Sequence, residues 1–311
     1  MKYTFLLPAY KTTFFKDSLE SILNQTYPDF NVIVSDDCSP EDLRSVVDQF
    51  CDSRVEYRRN EKNIGAAQLV DHWNLLLGLT DAEYIIMASD DDIYDSHYLE
   101  ELDKMTYIFP EVNVFRPRIR CIDAEGKEFW REKVIFGEEI ISRREYLNCF
   151  AKETLASGIP QYLFKRESLL SIGGFVNLPM AWFSDDATVA LLADKGICFC
   201  PQCLFSFRIS ANSISSANVL KKADWSCKFN ASSMYAEIIQ GLLDDSTDKD
   251  LMESLYTRAR RISIKMLNQA PVGTFLQMMS YIRKLGAPLY PYVWRVRRYV
   301  GRCIHLRSKT V

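Results

Sequence analysis

Histidine is scarce in this chain. His72, His97 and His305 are the only three among 311 residues, and they lie too far apart to suggest a catalytic triad. The phosphate-binding signatures G-x-G-x-x-G and G-x-x-x-x-G-K-[ST] are missing, as are G-x-S-x-G and H-E-x-x-H. Long apolar runs are missing too. No stretch approaches the roughly 18 consecutive apolar residues of a membrane-spanning helix. The apolar part of the N-terminus, MKYTFLLPAY, is too short for a signal peptide and reads as a first strand. Nine cysteines, an odd and mostly scattered set, argue against a secreted disulfide framework and for a reducing, cytoplasmic compartment. After Glu253 there are no acids at all: residues 254–311 carry twelve Lys and Arg. The overall charge of −3 therefore leaves −15 on the first 253 residues, an acidic body with a basic tail.

What is present is ordinary in bulk, with 48% hydrophobic and 25% charged residues, and long enough to bury a sizeable core. The first half alternates strands and helices. YTFLLP (3–8), FNVIVS (30–35), RVEYRR (54–59) and YIIMA (84–88) read as strands. Between them, residues 14–25 place Phe15, Leu19, Ile22 and Leu23 at helical spacing. Residues 65–78 do the same with Leu69, Val70, Trp73, Leu76 and Leu77. Ser39-Pro40-Glu41-Asp42 reads as a helix start with Ser39 as the cap, and His97–Met105 continues as a helix. Further on, strand-like runs flank a turn at 124–126 and short helices fit 142–150 and 166–171. Asp185-Asp186 opens a helix that stops at Gly196, residues 197–208 read as one or two strands, and the pattern is helical from about 220. Such alternation implies an α/β fold with a mostly parallel, Rossmann-like central sheet flanked by helices, and a C-terminal helical extension. Ligands in such folds bind beyond the carboxyl ends of the strands. Here those ends carry Pro8-Ala9-Tyr10, Asp36-Asp37 and Asp90-Asp91-Asp92, so polar groups distant in sequence converge on one edge.

Each motif admits a structural and a chemical reading. The triplet 90–92 is a solvated turn with Asp92 as helix cap, or a seat for Mg²⁺ or Mn²⁺, which take oxygen ligands and share positions with phosphate oxygens. In SDDCSPEDL (35–43), Asp36 can serve the turn while Asp37 accepts the imide N–H of a uracil. Asp185-Asp186 is a pair of helix-start acids or a general base for an attacking hydroxyl. Cys200 and Cys203 have zinc-like spacing but no second pair, which favours buried thiols.

The order of the motifs carries a resemblance. PAY, SLESILNQTYPDF, VIVSDDCSPE, NIG, WNLLLGLTDAEYI, ASDDD, IGGF and DDATVALLADKG, over about residues 1–210, resemble the family 2 glycosyltransferases of the GT-A fold. The resemblance implies that Pro8, Ala9 and Tyr10 line a nucleotide pocket and that Asp37 reads uracil. Asn63, Gly65 and Asn74 would shape the nucleotide side. It places Asp91 as the last acid of the D-x-D motif and metal ligand, with Ser89 in the first position. A shift of one instead puts Asp90 and Asp92 in those roles, so Asp90 is expected at the nucleotide and Asp91 and Asp92 at the metal. Asp186 matches the catalytic base and Asp185 its acidic neighbour. The family's Arg-x-His is Arg208-Ile209-Ser210 here, which leaves Arg208 alone for the diphosphate or metal, and Trp73 stands where an Arg often precedes the later Asn.

The implied activity is inverting transfer of a sugar from a nucleotide-sugar, a UDP-sugar by expectation, to a glycan or lipid-linked hydroxyl in surface polysaccharide synthesis, with Mn²⁺ or Mg²⁺ as cofactor. The implied organisation is a transferase domain over 1–215, with a nucleotide half (1–105) and an acceptor half (106–215), followed by the basic extension 216–311. The aromatic, Arg-rich segment 288–309 either lies on an anionic membrane at its cytoplasmic face or docks on the acidic body. Nucleic acid is not an expected partner, because the acidic body repels phosphates. Two other activities fit parts of the pattern: a nucleotidyltransferase, although PAYKTTFF lacks the expected glycines, and a non-catalytic carbohydrate- or nucleotide-binding protein.

Overall fold

The computed structural model describes residues 1–133, 136–210, 222–243, 247–255 and 257–258. The chain divides into two compact units, Met1–Asn218 and Val219–Val311. In the first unit the chain opens with β1 (Tyr3–Ala9), α1 (Phe15–Leu23), β2 (Phe30–Asp36), α2 (Leu43–Asp48) and β3 (Val55–Arg59). A single 3₁₀ turn then leads into α3 (Leu69–Leu77), followed by β4 (Tyr84–Met87), β5 (Ile93–Tyr94) and α4 (Tyr98–Ile108). The second half contains β6 (Val114–Ile122), β7 (Glu128–Arg131), β8 (Ile140–Ile141), α5 (Arg143–Ala151), β9 (Leu163–Lys165), α6 (Arg166–Ser171), α7 (Ser184–Leu192) and β10 (Ile197–Arg208).

These strands form one mixed sheet in the order β3-β2-β1-β4-β9-β6-β10-β5, with β7 beside β6 and β8 beside β10. The β3-β2-β1-β4 block is parallel, and so is the long β6–β10 ladder. Strand β9 runs antiparallel to both β4 and β6 and joins the two blocks. Phe5, Leu6 and Leu7 are all fully buried, as a strand covered on both faces requires. Phe5 and Leu7 share a core with Phe15, Leu19 and Ile22 of α1 and Leu99 and Leu102 of α4. Those α1 residues recur at three- and four-residue spacing, which presents one apolar stripe to the sheet.

Two details differ from the sequence expectation and a third agrees with it. First, α2 is capped by Asp42, whose side chain accepts the Ser45 N–H at 3.0 Å. Ser39 instead donates its hydroxyl to the Tyr10 carbonyl at 2.6 Å and accepts the Glu41 N–H, so Ser39–Glu41 is a turn that ties two strand ends together. Second, β5, β8 and β9 have two or three residues each, too few for any periodicity to show. Third, Cys198 and Cys200 are buried on β10 and all eight described cysteines are free thiols. Burial pushes the Cys200 thiol up to about 11 and its Sγ contacts Oε1 of Gln202, so the C-x-x-C spacing marks a strand in the core.

In the second unit, α8 (Lys222–Leu242) buries Ala231, Tyr235 and Ile239 at four-residue spacing. No described helix is long and apolar enough to cross a membrane. The basic segment 288–309 lies outside the described residues.

Candidate active site at the strand ends

Strand β1 lies between β2 and β4, where the winding of the chain reverses, and a crevice opens beyond the carboxyl ends of such strands. The residues there are bonded to one another across the reversal. Asp90, beyond β4, accepts the backbone N–H of Tyr10 at 2.9 Å and of Lys11 at 3.1 Å beyond β1. The Asp37 N–H beyond β2 donates to the Ala9 carbonyl at 2.9 Å. Thr12 donates its N–H to Glu41 at 2.6 Å, and its hydroxyl reaches the same carboxylate oxygen. These two bonds hold the Glu41 carboxyl below its ordinary range.

Asp37 is buried, and its carboxylate gathers the segment after β3. Oδ1 accepts from Asn60 Nδ2 at 2.9 Å and the Ile64 N–H at 2.8 Å; Oδ2 accepts from Asn63 Nδ2 at 3.0 Å and the Gly65 N–H at 2.9 Å. Four donors fill the acceptor capacity of one carboxylate. Asn60 went unnoticed in the sequence, although it closes β3 three residues before the N-I-G run. Its neighbour Asp36 is wholly buried and serves the fold: it accepts from the Tyr57 hydroxyl, the Arg59 guanidinium and the Ser39 N–H.

The acid triplet diverges, as adjacent like charges do when each finds its own donors. Asp90 turns toward the loop after β1; burial pushes its carboxyl up, against the Tyr10 and Lys11 amides and the Lys11 charge. Asp92 turns inward at 1% exposure, accepting from the Ser89 hydroxyl and the Arg208 N–H. Burial, then the neighbouring Asp91 charge, raises its carboxyl well above the ordinary range. Asp91 stays half-buried, its carbonyl held by Arg208 Nε at 2.8 Å. Arg208 is itself 4% exposed, stacks over Phe14, and donates Nη1 to the carbonyls of Asp123 and Ala124. It therefore ties β10, the triplet and the β6–β7 turn together from beneath.

Asp185 and Asp186 open α7 on a separate element. The entry to that helix is unusual: Met180, Ala181 and Phe183 all have positive φ, a left-handed backbone that costs non-glycine residues roughly 1–2 kcal/mol each. Ser184 accepts the Leu178 N–H, Thr188 accepts the Val176 N–H, and Oδ1 of Asp185 accepts the Asp186 N–H at 2.9 Å. Asp186 is 6% exposed, and its charge helps hold the buried Tyr146 and Tyr162 phenols in their neutral form. Upstream, Asn74 clamps Phe175, accepting its N–H at 2.7 Å and donating to its carbonyl at 3.0 Å. Asn74 itself lies on α3, so this clamp ties α3 to the segment that leads into α7.

Among the described residues no three His, Cys, Asp or Glu side chains are gathered into a metal cage. Asp92, expected at the metal, instead spends both carboxylate oxygens on Ser89 and the Arg208 N–H. The half-buried Asp91 still fits a divalent cation of the Mg²⁺ type, which needs only one or two carboxylates when phosphates and water supply the other oxygens.

The family model for glycosyl transferase family 2 matches residues 4–170. An uncharacterized glycosyltransferase of Haemophilus influenzae is 27% identical over 215 residues, which span 67% of this chain and 69% of that protein. The UDP-Glc:alpha-D-GlcNAc-diphosphoundecaprenol beta-1,3-glucosyltransferase WfgD of Escherichia coli is 32% identical over 96 residues, 30% of this chain and 37% of its own length. Among solved structures, TarS 1–349 of S. aureus in complex with UDP-GlcNAc superposes with a TM-score of 0.73 at 14% identity, covering 92% of this chain and 80% of that one.

Proposed function

This chain belongs to the family 2 glycosyltransferases, and from that premise we propose that it moves a sugar from a UDP-sugar to a hydroxyl of a glycan or lipid-linked acceptor, inverting the anomeric carbon. The observation that carries the reading is the convergence of Asp37, Asp90 and Asp91 on the β1/β4 reversal. The bound UDP-GlcNAc of the S. aureus structure supports the choice of donor, and the diphosphoundecaprenol in the name of the E. coli relative supports a lipid-linked acceptor.

In this reading Pro8, Ala9 and Tyr10 line the nucleotide pocket. A uracil imide N–H competes for Asp37 with Asn63, a side chain that can swing aside more readily than the two backbone donors. Asp91 would hold Mn²⁺ or Mg²⁺ together with the donor's phosphates, and Asp92 and Arg208 position Asp91 from behind. When bound, the cation supplies positive charge against the leaving diphosphate. Asp186 accepts the proton of the acceptor hydroxyl as that oxygen attacks the anomeric carbon, and Asp185 fixes the first turn that carries it.

The test is incubation with a panel of UDP-sugars, Mn²⁺ and saccharide or polyprenyl-diphosphate saccharide acceptors, reading UDP release and product mass. UDP release coupled to a glycosylated product is the expected result. No release with any donor, or pyrophosphate release from a nucleoside triphosphate, overturns the reading. For location we propose the cytoplasmic side of a membrane, with the basic tail on anionic lipid. Sedimentation with anionic liposomes that is unchanged by removal of residues 288–311 rejects that placement.

A further inference from the structure

The strand-end crevice is rich in acid, yet a nucleoside diphosphate brings at least two further negative charges. Asp90, Asp91, Asp92 and Glu41 all lie around the ends of β1 and β4. One strong cation there, Arg208, is buried at 4% exposure and directs Nε and Nη1 to three backbone carbonyls, so it organises the fold beneath the crevice.

Lys11 is placed differently. Its backbone N–H is fixed on Asp90, and the residues on either side are fixed as well. The Tyr10 carbonyl accepts from Ser39, and Thr12 is held by Glu41. Three side chains from beyond β2 and β4 thus pin a three-residue loop, and Lys11 is its half-buried middle. The Lys11 charge favours the ionised forms of Asp90 and Glu41, which bind the loop from beyond β4 and β2. A lysine ammonium is a compact point charge suited to phosphate oxygens, and a pinned backbone lowers the ordering cost of using it.

Resting on the glycosyltransferase reading, we propose that Lys11 is the protein's direct cationic contact to the diphosphate of the nucleotide donor, positioned by Asp90. It binds the diphosphate in the donor and stabilises it as it leaves with the bonding electron pair. Its role adds to that of the cation at Asp91.

The experiment uses the full chain and compares UDP with uridine, which shares the base and ribose but lacks the diphosphate. Calorimetric titrations are run on wild type, Lys11→Met and Lys11→Arg, with and without Mn²⁺. The expected result is that Lys11→Met weakens UDP roughly 10- to 100-fold, leaves uridine unchanged, and that Lys11→Arg restores most of the loss. Wild-type affinity for UDP in Lys11→Met overturns the proposal alone. Equal weakening of UDP and uridine also overturns it, because the residue then only shapes the loop. Wild-type protein that binds no nucleoside diphosphate overturns the donor reading and this proposal together.

Discussion

The N–H of Gly65 meets Oδ2 of Asp37 at 2.9 Å, and it does so from a backbone with φ of +76°. A side chain at that position would be strained, and its Cβ would fall 2.9 Å from Oδ1 of Asn63, another donor residue of Asp37. Gly65→Ala is therefore expected to cost about 1–2 kcal/mol of stability and to displace Asn63. Urea denaturation reads the first effect, and UDP titration reads the second as weaker binding. Unchanged UDP affinity in a destabilised variant would separate this loop from the nucleotide.

His72 gives a pH signature on the same side of the sheet. It is buried at 2% exposure, with Nε2 2.8 Å from the Ser35 hydroxyl and 3.4 Å from Asn60 Nδ2. Burial lowers its pKa, and the nearby Asp37 charge opposes that only in part. The unfolded chain, with an ordinary value near 6.5, therefore binds the proton more readily than the folded one. Stability at this site is fully present above about pH 6.5 and is lost as pH falls below it. Wild type is expected to lose more stability between pH 7.5 and 5.5 than His72→Gln does. Equal losses in urea melts would assign the acid sensitivity elsewhere.

The second half of the sheet is anchored by a buried ion pair. Arg116 and Glu132 are both 0% exposed and meet at 2.9 Å, with the Ala156 carbonyl beside them. Removing one partner strands a charge in the interior, so Arg116→Met is expected to cost about 3–5 kcal/mol. The double variant Arg116→Met, Glu132→Gln should recover a large part of that, because no lone charge remains. Thermal melts of both variants check the sign, and a double variant as unstable as the single one would count against the pair.

The parallel block and its acidic edge were legible because they rest on local patterns. Apolar runs at β1, β2 and β4 lead into Pro8, Asp36-Asp37 and Asp90-Asp91-Asp92, which exposes those strands and their carboxyl ends, while alternation marks β3. The strands of the second half were harder. β8 and β9 are held by neighbours far away in sequence and carry no period of their own. The triplet shows the same limit at the scale of one residue. DDD in a sequence gives three equal candidates, and only tertiary contacts turn Asp90 to the Tyr10 and Lys11 amides and Asp92 to Arg208. Asn60 and Lys11 were missed because each acts through a partner some 20 or 80 residues away.

The two acids at the start of α7 should separate in function. Oδ1 of Asp185 accepts the Asp186 N–H, a bond that an asparagine oxygen can also accept. Asp185→Asn is therefore expected to keep transfer within about tenfold of wild type, while Asp186→Asn, which removes the proposed base, should lower it by about 10²–10⁴. In the proposed reading UDP with Mn²⁺ binds at the β1/β4 end, so Asp186→Asn should leave that binding intact. Asp91→Asn should instead weaken the Mn²⁺-dependent part of UDP binding. Single-turnover transfer and calorimetric UDP titration, measured on the same preparations, read the two effects independently. If Asp185→Asn proved the more damaging of the pair, the proton would have to go to Asp185. The left-handed entry at Met180–Phe183 would then be orienting that carboxylate instead.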